Sequence, residues 1–260
     1  MVTITPAKQV PVAPKTSSIR KIEHAAAHEL VVDQIRRAIQ LGRFLPGDKL
    51  PAERDLAELL GVSRATVREA IRVLETDGIL SIRRGAYGGL VVNRVHAMDT
   101  RTLRARLKKQ TRELNDIFDY RLAIECMSAR LAAERRTRDN LNDLRTTLER
   151  MGTLAASPRG EHGAHTTALF NAADTEFHLG ISAATGNRYL TEGAEKVRRA
   201  MFLPVGAVFN ELREDANDIH AAIFEAIEHR DGDAAERHMR QHIEATRNAM
   251  ADLLRPRDDA

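Results

Sequence analysis

A chain of 260 residues, 43% of them hydrophobic, has room for two modest domains with ordinary packed cores. Its single cysteine, Cys126, excludes an intrachain disulfide and fits a reducing cytoplasm, and no run of 18 or more apolar residues is present to span a membrane. The net charge of +3 is uneven: residues 1–98 hold 15 Lys/Arg against 10 Asp/Glu and residues 99–260 hold 25 against 27, so the first portion is the candidate polyanion binder.

The opening stretch carries three of the eight prolines and lacks the continuous apolar block of a signal peptide, so residues 1–24 read as a flexible tail. From Ala27 to Leu41, Leu30, Val31, Ile35, Ala38 and Ile39 share one helical face, and Gly42 follows as a stop. Leu56, Leu59 and Leu60 form a second stripe ending at Gly61, and Ser63 is placed to cap a third helix. In that helix Val67, Ala70, Ile71 and Leu74 face inward, which leaves Arg64, Ala65, Thr66, Arg68 and Arg72 outward. Two short helices joined by the tight Leu60-Gly61-Val62-Ser63 turn predict a helix-turn-helix, with guanidinium groups and a hydroxyl suited to guanine edges and phosphates in a major groove.

After Gly78 the runs ILSIRR and LVVN flank a glycine-rich loop, the pattern of a hairpin. A hairpin beside a helix-turn-helix makes a winged domain, here expected over residues 25–95. Arg83, Arg84 and Gly85 at the hairpin tip would reach the backbone or minor groove.

The stretch PGDKLPAERDLAELLGVSRATVREAIRVLETDGIL followed by RRGAYGG resembles the GntR family of bacterial transcription regulators. The resemblance implies that Arg54, Arg64 and Arg68 contact DNA, that Ser63 and Thr66 meet phosphates or base edges, and that Gly85 is the wing-tip glycine. The wing departs from the family pattern at Ala86-Tyr87, which interrupts the usual glycines.

Beyond a linker helix at residues 96–111, residues 112–255 show no strand pattern. Helical runs at about 113–136, 139–155, 166–184, 188–210, 214–229 and 233–254 predict an all-α bundle. The expected fold is therefore mainly α, a winged helix-turn-helix followed by a helical bundle. Asp174 and His178 are four apart and so share a helical face. His220 and His242 stand eleven residues before and after Asp231, so in an antiparallel helical hairpin they lie level, roughly 16 Å from the turn. Three imidazoles and a carboxylate suit a borderline divalent ion such as Zn, Ni or Mn, although each histidine alone reads as an ordinary surface or core residue. His238 offers a competing pair with His242; its mirror position is Phe224, which is no ligand. His162 and His165 are weaker candidates.

The Asp-x-x-x-His pattern and IHAAIFEAIEHRDGDAAERHMRQHI resemble the FCD ligand-binding domain of the FadR subfamily. The resemblance implies a metal site at Asp174, His178, His220 and His242 and a carboxylate-type effector held by Arg121, with Asn187 lining the same region. For Arg121 a salt bridge with Asp119 or Glu125 is the competing role, and for Asn187 helix termination. The expected function is a cytoplasmic, non-enzymatic homodimer that binds near-palindromic double-stranded operator DNA, represses transcription, and is controlled by a small organic acid at the metal site. A regulator that senses the metal itself and a metal-dependent hydrolase are the rival readings.

Overall fold

The computed structural model describes residues 26–83, 85, 88–93, 105, 107–156, 163–206 and 216–255. The tail at 1–24, Arg84, Ala86, Tyr87, His162 and residues 96–104 and 106 of the expected linker helix lie outside the described residues.

The N-terminal half runs α1 (Ala27–Gln40), α2 (Glu53–Leu60), α3 (Arg64–Thr76), β1 (Leu80–Arg83) and β2 (Gly89–Val92). Local chemistry sets the boundaries. The Glu29 carboxylate accepts from the Ala26 N–H at the start of α1, and Ser63 Oγ accepts from the Thr66 N–H at the start of α3. Gly61, at φ +65°, closes α2 in the left-handed conformation that makes the turn into α3. β1 and β2 pair antiparallel, Leu80 opposite Val92 and Arg83 opposite Gly89, and an isolated bridge joins Lys49 to Val91.

Val67, Ala70, Ile71 and Leu74 are buried as their spacing predicts and gather Val31, Val32, Ile35, Ile39, Leu56 and Leu80 into one core. Each larger aliphatic side chain so buried contributes about 1.5–3 kcal/mol. Two expected core leucines are corrected. Leu30 is 58% exposed because α1 turns Val31 and Val32 inward, and Leu59 is 73% exposed because the short α2 buries Leu56 and Ala57.

The C-terminal half is all-helical among its described residues: α4 (Thr111–Arg135), α5 (Arg138–Ala155), α6 (Gly163–Ala184), α7 (Arg188–Gly206), α8 (Ala216–Glu228) and α9 (Gly232–Leu254). Thr137 and Asn140 cap α5 reciprocally, and Asp231 Oδ1 accepts from the Ala234 N–H at the α8–α9 turn. The long α4 is the central member, packed on α6, α7, α8 and α9. A second core forms around Phe118, Ala129, Leu144, Phe177, Ile181, Ile223, Ile227, Met239 and Ile243. Cys126 is free and buried within it. No helix among the described residues is long and apolar enough to cross a membrane.

The two halves meet where α1 lies on α7. Arg37 pairs with Glu195, and Arg199 Nε donates to Gln40 Oε1 at 3.1 Å. Gly42, at φ +70°, is seated on Ala172 of α6 so closely that a Cβ would stand 2.6 Å from the Ala172 Cβ.

Candidate functional site

The outer face of α3 is polar. Arg64, Arg68 and Arg72 are exposed, and Ser63 and Thr66 share a 2.8 Å hydroxyl–hydroxyl hydrogen bond at its N-terminus. Arg68 is held from below, its Nε and Nη2 both 3.3 Å from Glu53 Oε2 at the start of α2. Arg54 is exposed and bonds Asp55 through Nε at 3.1 Å. At the wing tip Gly85 adopts φ +105° and its carbonyl accepts from the Gly88 N–H, a turn that a β-carbon would strain. Helix N-terminus, arginine face and hairpin are thus presented from one small core.

The second site lies inside the bundle. α6 contributes Asp174 and His178, α8 His220 and α9 His242, and one ligand-type atom from each falls within 4.8 Å of all the others. The imidazole centroids of His220 and His242 are 4.5 Å apart, with His178 at 5.1 Å from His242 and 5.7 Å from His220. Asp174 Oδ1 is 2.9 Å from His220 Nε2 and 3.5 Å from His178 Nε2. His238 is not in this cluster; it faces Gln241 at 3.3 Å. His165 is exposed on α6.

Two guanidiniums and a second carboxylate surround these four. Arg121, 2% exposed, donates through Nε to Glu125 Oε2 at 3.0 Å and reaches His242 Nε2 with Nη2 at 3.1 Å. Arg198, also buried, bonds Asp174 Oδ2 and comes within 4.0 Å of Glu125 Oε1. The other expected partner, Asp119, instead takes Arg247 at 3.0 Å. Asn187 sits in the turn before α7, where its Oδ1 accepts from the Tyr189 N–H at 3.0 Å, a helix-starting contact.

Burial alone would raise both carboxyls. Around Glu125 it is outweighed by Arg121, His178 and Arg198, and around Asp174 by Arg198, His178 and His220, so both groups ionise well below the usual carboxylate range. Burial, with His220, Arg121 and His178 close by, holds His242 neutral, its pKa well below the ordinary histidine value.

The residues fit a divalent ion. Neutral imidazoles and a carboxylate are its ordinary ligands, and the fully buried ring nitrogens of His178 have no aligned hydrogen-bond partner, although Nδ1 stands 3.0 Å from Glu125 Oε2. Sequence reading did not single out Arg198, and it named Glu125 only as an ion-pair partner. The available signal was the spacing of Ala194, Val197 and Met201, a buried stripe of α7 into which Arg198 falls.

The gntR family of bacterial regulatory proteins matches residues 27–87 and the FCD domain matches residues 116–245. The Glc operon transcriptional activator of Escherichia coli (strain K12) is 32% identical over 241 residues, covering 90% of this chain and 92% of that protein. The chain belongs to the GntR family. It is a DNA-binding transcription regulator with an FCD domain, and this removes the hydrolase reading. Among its GntR relatives, the putative L-lactate dehydrogenase operon regulatory protein of Escherichia coli (strain K12) is 32% identical, covering 85% of this chain and 84% of its own. The galactonate operon transcriptional repressor of the same strain is 29% identical over 79% of this chain and 89% of its own. The solved structure of E. coli McbR/YncC shares the fold at TM-score 0.53 and 19% identity, covering 89% of this chain and 100% of that one.

Proposed function

We propose that this GntR regulator, as a homodimer on a near-palindromic operator, is controlled by a small organic acid that binds at a divalent ion (Zn, Ni or Mn) in the bundle. In this reading Arg64, Arg68, Ser63 and Thr66 of α3, Arg54 of α2 and Arg84 and Gly85 of the wing form the DNA surface. Asp174, His178, His220 and His242 hold the ion. The observation that carries the effector class is the charge inventory: the buried arginines Arg121 and Arg198 balance the buried carboxylate of Glu125 and the partly buried carboxylate of Asp174. A divalent ion therefore adds two uncompensated positive charges, together with open coordination positions that an anion would occupy. Carboxylates and hydroxy acids match that demand, and the arginine forks suit their oxygens.

The route to DNA runs through the contact between the halves. Ala172, under Gly42, is two residues from Asp174, while Glu195 and Arg199, which hold Arg37 and Gln40, flank Arg198. A ligand that shifts Arg198 or Asp174 moves the seats on which α1 rests, and so favours one disposition of the DNA-binding half over another. The relatives named for an activator and a repressor use both signs; we assign this chain repression released by the acid.

The test combines thermal melting with operator-binding anisotropy on metal-replete and metal-stripped protein, across hydroxy acids, sugar acids and dicarboxylates. An acid of the right class raises the melting temperature of the replete protein alone and weakens operator binding about 5- to 150-fold. Operator binding that changes with metal but with no acid makes the ion itself the signal. Melting curves unmoved by every acid in both forms would remove the effector class.

A further inference from the structure

Glu125 is 1% exposed, one helical turn from Arg121 on the central helix α4. A fully buried carboxylate is costly unless its charge is engaged from several sides. Here one oxygen, Oε2, is 3.0 Å both from Arg121 Nε and from His178 Nδ1, and the other, Oε1, faces Arg198 Nη1 at 4.0 Å. His178 stands with Nδ1 3.0 Å from Glu125 Oε2 and Nε2 3.5 Å from Asp174 Oδ1, so the two ring nitrogens lie beside different carboxylates, neither in aligned hydrogen-bond geometry. Arg121 is placed so that Nη2 touches His242. One side chain on α4 thus meets groups that lead to α6, α7 and α9.

The geometry points to Glu125 as the positioning residue of the cluster: it keeps the His178 proton on Nδ1, presents Nε2 to the ligand set, and fixes Arg121 beside His242. The metal part of this inference rests on the reading that Asp174, His178, His220 and His242 hold an ion; the proton-placement part does not. A carboxylate behind a metal-ligating imidazole orients the ring and strengthens it as a ligand, and removing such a partner costs about 10- to 100-fold in metal affinity. A carboxylate serving only as the counter-ion of Arg121 would leave the His178 proton where it is when replaced, and would weaken metal binding only through the lost negative charge.

The experiment compares full-length wild type, Glu125→Gln, which retains an acceptor oxygen, and Glu125→Leu, which has none. Imidazole ¹⁵N shifts of His178 in metal-free protein and chelator-competition titration with Ni²⁺ are the two readouts. Expected are a protonated Nδ1 in wild type and Glu125→Gln, a mixed or reversed tautomer in Glu125→Leu, and Ni²⁺ affinity reduced about 10- to 100-fold in Glu125→Leu with partial rescue in Glu125→Gln. A wild-type His178 tautomer in a folded Glu125→Leu would overturn the inference whatever happens to the Ni²⁺ affinity, because loss of the charge alone weakens cation binding. If Glu125→Leu does not fold, a proton on Nε2 of wild-type His178 overturns it and a proton on Nδ1 with weakened Ni²⁺ binding in Glu125→Gln supports it. Wild type that binds no metal yet shows the Nδ1 proton, lost in Glu125→Leu, sinks the metal reading and sustains the positioning role.

Discussion

Gly42 and Ala172 are in contact across the two halves of the chain: a β-carbon on Gly42 would lie 2.6 Å from the Ala172 Cβ and 2.9 Å from its Cα. Gly42 also sits at φ +70°, where an L-residue is strained by about 1–2 kcal/mol. Gly61 has nearly the same backbone, φ +65°, with nothing within 4 Å of its would-be Cβ. Replacing each by alanine separates strain from contact. Gly61→Ala is expected to lose only the strain energy, and Gly42→Ala to lose more, because either α1 or α6 must shift. Equal losses in calorimetric melts would mean that α1 does not rest on Ala172.

Arg64 and Arg68 project from the exposed face of α3 while its opposite face is buried in the core. Truncating either to alanine should therefore leave the circular dichroism spectrum unchanged and weaken specific operator binding by about 5- to 150-fold, the worth of one good base-edge contact. Glu53 supports Arg68 but has no such link to Arg64 among the described contacts, so Glu53→Gln should weaken binding through Arg68 only and add little to Arg68→Ala. Footprinting affinity unchanged in both arginine variants would remove α3 as the reading helix.

The amphipathic face of α3, the Ser63 cap and the strand pairing were legible because each follows from a local period or a local hydrogen bond. His220 and His242 were legible for a different reason: antiparallel helices joined at Asp231 must bring positions equidistant from the turn to the same level, and their rings stand 4.5 Å apart. Arg198 was not. Beside Arg199 in the sequence it looks like a solvated pair, and only the packing of α7 on α4 and α6 decides that one turns inward to Asp174 and the other outward to Gln40. Leu30 shows the same limit, since three consecutive apolar residues leave open which of them α1 buries.

Cys126 is buried beside Glu125, and burial pushes its thiol up to about 11, with Glu125 and Glu236 adding to the rise against Arg240 and Arg121. The native thiol is thus protonated at pH 8 and sealed from solvent, whereas the unfolded thiol ionises near its ordinary value of about 8.5. Iodoacetamide labelling at pH 8 should be at least about tenfold slower in native than in denaturant-unfolded protein. The sign for stability follows: a raised folded pKa leaves stability intact below the unfolded value and erodes it as pH climbs toward about 11. Native labelling as fast as unfolded labelling would contradict the burial of α4.

His220 and His242 come from the two arms of one helical hairpin, while Asp174 and His178 come from a single helix, so the candidate ligand set has two halves that separate variants can address. His220→Ala or His242→Ala should lower affinity for Zn²⁺, Ni²⁺ or Mn²⁺ by about 100-fold or more, beyond the loss seen when only a supporting residue is removed. The same variants should shrink the metal-induced rise in melting temperature, because the stabilisation an ion gives the native state grows with the logarithm of its concentration over its dissociation constant, and a 100-fold weaker site loses up to about 2.7 kcal/mol of it. His238→Ala, whose ring faces Gln241 instead, should change neither quantity. Full metal stoichiometry and an unchanged thermal shift in both His220→Ala and His242→Ala would exclude the hairpin as part of the site, leaving Asp174 and His178 as members of a buried ion-pair network with Arg198 and Glu125.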